Sequence, residues 1–317
     1  MAVLGAALVA PRRAVAQPAT LRRVGFLSPR SSPDPFYDAF ARGMRALGYL
    51  EGKNVVVERR YADGQYNRLP ALAVELARMS PAVIVAYDMV ATKALHGASP
   101  NVPIVTIGGV DLVGNGLATN LARPGGNVTG VCAINTDLSA DHLELLRSAL
   151  PTLSRAAVLV NPGNSANGAV WKNVQIAARA LNVEVLPVHA RTPHEIEQGF
   201  AVMARDTVGA GIVATDAFFS GQGPQIAELA TKHRIPTIDS YRDHVAAGAL
   251  MSYGQNMAEF HRRAAWYVDR ILKGTRPATL PVEEPTKIEL TINRKTARTL
   301  GIELPPALLR RADEVIE

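Results

Sequence analysis

The chain has 317 residues, 48% of them hydrophobic, which is enough to fill the cores of two domains. Its formal net charge is +6, from 34 Lys and Arg against 28 Asp and Glu, yet the basic residues fall in scattered pairs such as Arg59-Arg60 and Arg262-Arg263. No basic run interleaves with aromatics, which argues against a nucleic-acid partner, and the lone cysteine, Cys132, excludes an internal disulfide and a thiol redox motif.

Residues 2–10 (AVLGAALVA) are apolar but too short to span a bilayer. Ala14-Val15-Ala16 follows with the small-x-small spacing that precedes signal-peptide cleavage, which would leave Gln17 as the new N-terminus. No basic region precedes the apolar stretch. Residues 1–20 are therefore expected to be the back half of a signal peptide whose translation start lies upstream, and the mature protein to be exported to the periplasm.

From Arg23 onward strand and helix alternate. Residues 24–28 read as a strand, and Asp34 then caps a helix with Pro35 at its first position and Gly48 at its end. Strands follow at residues 54–61, 82–86 and 103–107, with helices at 68–79 and 90–98 between them. The continuous apolar run AVIVA at 82–86 marks a parallel strand covered on both faces. A turn-rich passage, LARPGGNVTG at 121–130, leads into another strand. The second half repeats the scheme with helices at 139–150, 166–181 and 222–233 and strands at 156–160, 183–188, 211–215, 236–239 and 249–253. Thr192-Pro193-His194-Glu195 reads as a capping box, and Asn256 opens a long amphipathic helix ended by Gly274. The fold class is α/β, with parallel sheets flanked by helices, and the number of strands favours two sheets over one. The last segment, from Leu280 on, breaks the rhythm. It adds one alternating strand at 287–292 and a short helix, as expected of a chain that crosses between two lobes once more before it stops.

In open parallel sheets, ligands bind beyond the carboxyl ends of the strands. That rule selects the loops at residues 28–35, 87–92, 108–115, 161–167, 189–192, 216–221 and 239–242. From them the candidate ligand-binding residues are Ser28, Ser31, Tyr87, Asp88, Met89, Gly108, Asp111, Asn161, Asn164, Asp216, Phe218, Ser240 and Tyr241. Helices start just after several of these loops, and their free N–H groups could hold a carboxylate without an arginine. Signatures of chemistry are missing: no Gly-x-Ser-x-Gly elbow, no phosphate loop, no Gly-x-Gly-x-x-Gly after the first strand and no metal-ligand spacing among the seven histidines. Asp243-His244 near Asp239 is the one pairing with a catalytic flavour, and no nucleophile stands beside it. A binding protein without enzymatic activity, cofactor or metal is the expectation.

Several segments, in order, resemble a known family. These are residues 23–27 (RVGFL), 47–49 (LGY), 51–54 (EGKN), 121–130 (LARPGGNVTG), 248–254 (GALMSYG), 262–274 (RRAAWYVDRILKG) and the tail from 280 ending in RADEVIE. They are similar to bacterial ABC transporter substrate-binding proteins, a family with tryptophan- and phenylalanine-binding members. The resemblance implies a type I periplasmic-binding fold, in which two Rossmann-like lobes with parallel sheets are joined by three hinge crossovers. It places lobe 1 at residues 22–135 plus 256–281, and lobe 2 at 136–255 plus 282–317. The crossovers would fall near residues 134–138, 253–256 and 280–285.

By the same implication the protein is a monomer that captures a small molecule in the interlobe cleft and delivers it to the membrane permease subunits of an ABC importer. Asp88, Asp111 or Asp216 would meet a ligand ammonium group, and a helix N-terminus at 161–166 or 87–92 its carboxylate. Tyr87, Phe218 and Tyr241 would cover its apolar part. Two features depart from the amino-acid binders of the family: the bulky Tyr87, and the adjacent Phe218 and Phe219. A ligand-sensing protein that signals to a membrane receptor is the alternative reading.

Overall fold

The computed structural model describes residues 21–133, 138–164 and 166–317. The signal-peptide expectation for residues 1–20 lies outside the described residues, as does most of the expected first crossover at 134–138.

The first lobe is built on β1 (Arg22–Ser28), β2 (Val55–Tyr61), β3 (Val83–Tyr87), β4 (Ile104–Gly109) and β5 (Val128–Cys132). They form an all-parallel sheet in the order β2-β1-β3-β4-β5. Between them run α1 (Pro35–Ala46), α2 (Leu69–Arg78) and α3 (Met89–Ala98). Every residue of β3 is buried, because alternate side chains enter different cores. Val83, Val85 and Tyr87 pack with α1, while Ile84 and Ala86 pack with α2 and α3. Asp34 caps α1 by accepting from the Phe36 N–H at 3.1 Å. The Cys132 thiol is buried, and burial pushes its pKa up to about 12, so it is an inert core group.

The second lobe contains α4 (Ser139–Ala149), β6 (Arg155–Val160), α5 (Asn167–Leu181), β7 (Glu184–His189) and α6 (Pro193–Arg205). It continues with β8 (Ala210–Val213), α7 (Ala217–Ser220), α8 (Gly223–His233), β9 (Thr237–Asp239), α9 (Arg242–Ala247) and β10 (Met251–Gly254). The Thr192 hydroxyl accepts from the Glu195 N–H at 3.2 Å, but the Glu195 carboxylate reaches past the cap residue to the Arg191 N–H at 2.6 Å. Half of a capping box is thus shifted by one residue.

The chain then re-enters the first lobe as α10 (Met257–Leu272), which lies along α1 and seals that face of the first sheet with Phe260, Ala264, Tyr267 and Val268. Residues 280–285 were expected to carry the third crossover. Most of them stay in the first lobe. The Val282 N–H donates to the Leu121 carbonyl at 2.7 Å, the Glu283 N–H to Gly130 at 3.0 Å, and the Cys132 N–H returns to Glu283 at 2.8 Å. Arg263 grips the Glu283 carboxylate with bonds of 2.9 and 2.6 Å. The passage to the second sheet therefore occupies residues 284–288, and Val282 and Glu283 pack as lobe 1 rather than lobe 2.

The tail supplies β11 (Glu289–Asn293), α11 (Arg294–Leu300), α12 (Pro306–Arg311) and β12 (Glu314–Ile316). β11 runs antiparallel to β10 and is not the edge, because β12 pairs outside it. The second sheet has the order β12-β11-β10-β9-β8-β6-β7.

Candidate functional site

The carboxyl ends of the two sheets face one another across a cavity of about 620 Å³ with walls from both lobes. From the first lobe come Tyr87, Asp88, Met89, Val90, Lys93, Gly108, Val110, Asp111 and Asn115. From the second come Leu138, Asn164, Ala166, Ala169, Val170, Thr215, Asp216, Ala217, Ser240 and Tyr241, while Gln255 and Met257 flank the return crossover. The strand-end rule thus leads to Tyr87, Asp88, Met89, Gly108, Asp111, Asn164, Asp216, Ser240 and Tyr241 on one surface.

Four candidates lie elsewhere. Ser28 is fully buried under its loop, where its hydroxyl accepts from the Arg30 N–H at 3.2 Å. Ser31 is half-buried and does not line the cavity. Asn161 is buried behind it, donating to the Asp216 carboxylate at 3.3 Å and accepting from the Gly163 N–H at 2.9 Å. Phe218 points away from the cavity into the core shared by the lobes. Sequence reasoning missed Lys93, Gln255 and Met257. Lys93 stands one helical turn after Met89, so helical spacing from the strand end was the available signal.

Three carboxylates reach the cavity, and they are not equivalent. Asp111 is exposed and accepts from the Gly114 N–H at 2.8 Å. Asp216 is buried, and its oxygens accept from the N–H groups of Phe218 (2.9 Å) and Phe219 (3.1 Å), Asn164 (2.8 Å), Asn161 and the Tyr66 hydroxyl (3.0 Å). Burial raises its pKa and these donors oppose the rise, leaving little acceptor capacity for a ligand. Asp88 has more to spare. It adopts φ 75°, a left-handed conformation unusual for a residue with a side chain, and from there caps α3 by accepting from the Ala91 N–H at 2.9 Å. Burial raises its carboxyl to about 7, with the N–H groups of Ala91 and Val90 and the Tyr66 hydroxyl opposing and the nearby Asp216 charge adding to the rise.

The aromatic walls are held from behind. Tyr87 meets Phe36 and His261 edge-on, with ring centroids at 5.9 and 4.8 Å. His261 is neutral: it is buried, which pushes its pKa down to about 3, and its Nδ1 donates to the Met257 carbonyl at 2.7 Å. The Tyr241 hydroxyl donates to the Asp216 carbonyl at 3.1 Å, and Ser240 and Thr215 share a hydroxyl contact of 2.7 Å.

Asp239 and His244 do pair, at 2.6 Å, but behind the cavity wall. The second ring nitrogen of His244 faces the Ser220 carbonyl at 3.3 Å, so both nitrogens are engaged by protein groups. This pair braces the 216–221 loop. Among the described residues no cluster of His, Cys, Asp and Glu could hold a metal ion.

A two-lobed α/β frame with its cavity at the switch between sheets matches the sequence profile described as ABC transporter substrate binding protein, over residues 28–316. The chain belongs to that family. It is 24% identical over 273 residues to a tyrosine-binding protein of Clostridioides difficile, a match covering 86% of this chain and 78% of the relative. Among solved structures it resembles an ABC domain in complex with L-Trp from Streptococcus pneumonia, with TM-score 0.80 and 23% identity, over 94% of this chain and all of the other. A conserved domain protein from Vibrio cholerae O1 biovar eltor gives TM-score 0.79 and 27% identity, over 93% of this chain and 99% of that one. As a member of the ABC transporter substrate-binding family, the chain has the type I periplasmic-binding fold.

Proposed function

We propose that this chain is the periplasmic receptor of an ABC importer and captures a small molecule, foremost an amino acid or a small aromatic or carboxylate compound. The observation that carries the reading is the cavity itself, which takes walls from both lobes and so is complete only while they are closed. The match to a tyrosine-binding relative supports the ligand class.

Within the cavity, Asp88 receives the ligand ammonium, since Asp216 is already saturated by protein donors and Asp111 is exposed. Asp88 also occupies the N-terminus of α3, which leaves the first turn of α5, without a side-chain cap, and Lys93 as the positive groups for a carboxylate. Tyr87 and Tyr241, with Met89, Val110, Val170 and Met257, cover the apolar body. The receptor acts as an exported monomer that hands its ligand to permease subunits, without catalysis or cofactor.

The test is a thermal-shift and calorimetric screen of amino acids and small aromatic acids on unfolded, ligand-stripped and refolded protein, with mass spectrometry of whatever co-purifies. A saturable rise in Tm with at least one of them is expected. No response to any of them would overturn the ligand class.

A further inference from the structure

The strand orders put the hinge and another set of contacts at opposite ends of the cavity. The return crossover leaves β10, and residues 280–283 lie along β5, the edge strand of the first sheet. At the other edge, the loops after β1 and β2 touch the second lobe directly. A Cβ on Gly64, which sits at φ +79°, would lie 2.4 Å from the ring of Phe218. Phe218 therefore packs against bare backbone of the opposite lobe, and only 2% of it is exposed. Beside it, the Tyr66 hydroxyl donates to the Asp216 carboxylate at 3.0 Å. Arg30, 3% exposed, donates to the Ser220 hydroxyl at 2.7 Å. Arg30 is oriented from within its own lobe, with Nε 3.0 Å from Asp34 and the guanidinium 4.3 Å over the Phe36 ring. Of these groups only Asp216 lines the cavity.

We propose that Phe218, seated on Gly64 and flanked by Tyr66–Asp216 and Arg30–Ser220, is a clasp that sets ligand affinity from outside the pocket. The proposal rests on the receptor reading above and adds to it a second source of closing free energy. All the clasp contacts are made between protein groups, so they hold the lobes together before any ligand arrives. Each shift of the lobe equilibrium toward the open form then lowers the apparent affinity by the fraction of closed molecules lost. Phe218, Tyr66 and Arg30 are positioning residues: they touch no ligand and act through the angle between the lobes.

The experiment reads the interlobe distance in the full chain, stripped of ligand, between spin labels on Lys53→Cys in the first lobe and Glu197→Cys in the second. Both sites are exposed, and the native Cys132 is buried away from the reagent. Wild type is expected to show a dominant short distance. Phe218→Ala should move most molecules to a longer one and raise the radius of gyration in small-angle scattering. Phe218→Leu, which keeps apolar volume on Gly64, should stay mostly short. With L-tyrosine as the probe, Phe218→Ala should weaken Kd by about tenfold or more. An unliganded wild type that is already fully open, or a Phe218→Ala variant with the wild-type distance, would overturn the clasp. Should L-tyrosine fail to bind wild type, L-tyrosine is the wrong ligand, and the distances without ligand still decide the clasp.

Discussion

At the scale of single residues, the cleft turns on the contrast between Asp216 and Asp88. Both carboxyls are driven upward by burial, but Asp216 is committed to five protein donors and Asp88 to three, which leaves Asp88 the greater acceptor capacity toward the cavity. A ligand ammonium needs Asp88 ionised. With the empty site titrating near 7, binding has to expel a proton below that pH and needs no such step above it. Affinity for an amine ligand should therefore be highest near pH 8 and fall as pH drops through 7, by up to about tenfold per unit. Asp88→Asn should weaken the same ligand by about 10- to 100-fold at pH 8, the worth of one charge-assisted hydrogen bond, and flatten the pH profile. Calorimetry in buffers of different ionisation enthalpy measures both the affinity and the released proton. A wild-type profile that does not change between pH 6 and 8 would rule out this role for Asp88.

At the scale of elements, most of the fold is legible in the sequence because local signals and burial agree. The AVIVA run is β3, the Asp34-Pro35 pair starts α1, and Asn256 starts α10 with its side chain on the Glu259 N–H at 3.1 Å. What stays hidden is decided by neighbours. Residues 280–283 contain Pro281 and show no strand pattern; they line up beside β5 because that strand has a free edge. β12 is three residues long, too short for any period to show, and it exists because β11 offers pairing groups. The candidate site divides in the same way. Strand-end position leads to the residues on the cavity wall, whereas Phe218 and Asn161 sit in equivalent loops and face inward, which only packing decides. Tyr66 follows the end of β2, so the same positional rule reaches it.

One element junction invites a direct test. Where β10 ends, a Cβ on Gly254 would lie 2.3 Å from the Ser240 carbonyl oxygen and 2.7 Å from its Cα. Backbone cannot step aside as a side chain can. Gly254→Ala should therefore cost about 2 kcal/mol or more in urea unfolding, in the range of overpacked cores. It should also weaken ligand binding, since Ser240 lines the cavity. A variant with wild-type stability would show that the two strands have more room than this geometry allows.

At the scale of the whole molecule, hinge and clasp bracket one cavity, and neither lobe is a continuous stretch of chain. The first lobe borrows α10 from beyond the second, and the large side chains that α10 buries contribute about 1.5–3 kcal/mol each. A chain ending at residue 255 keeps the whole first sheet but lacks that helix, leaving Phe36, Phe40 and Met44 of α1 without their partner. Such a truncation should show no cooperative thermal transition for the first lobe in circular dichroism. A sharp melt would mean that the sheet is stable without α10.

The same return of α10 has a consequence in time. A ribosome makes the first sheet early, yet the helix that completes its core is translated after nearly the entire second lobe. Folding of the first half therefore waits on the synthesis of α10, however quickly its strands can pair. The order of elements along the chain acts as a timer, one that keeps the nascent protein unfinished until its synthesis is almost done.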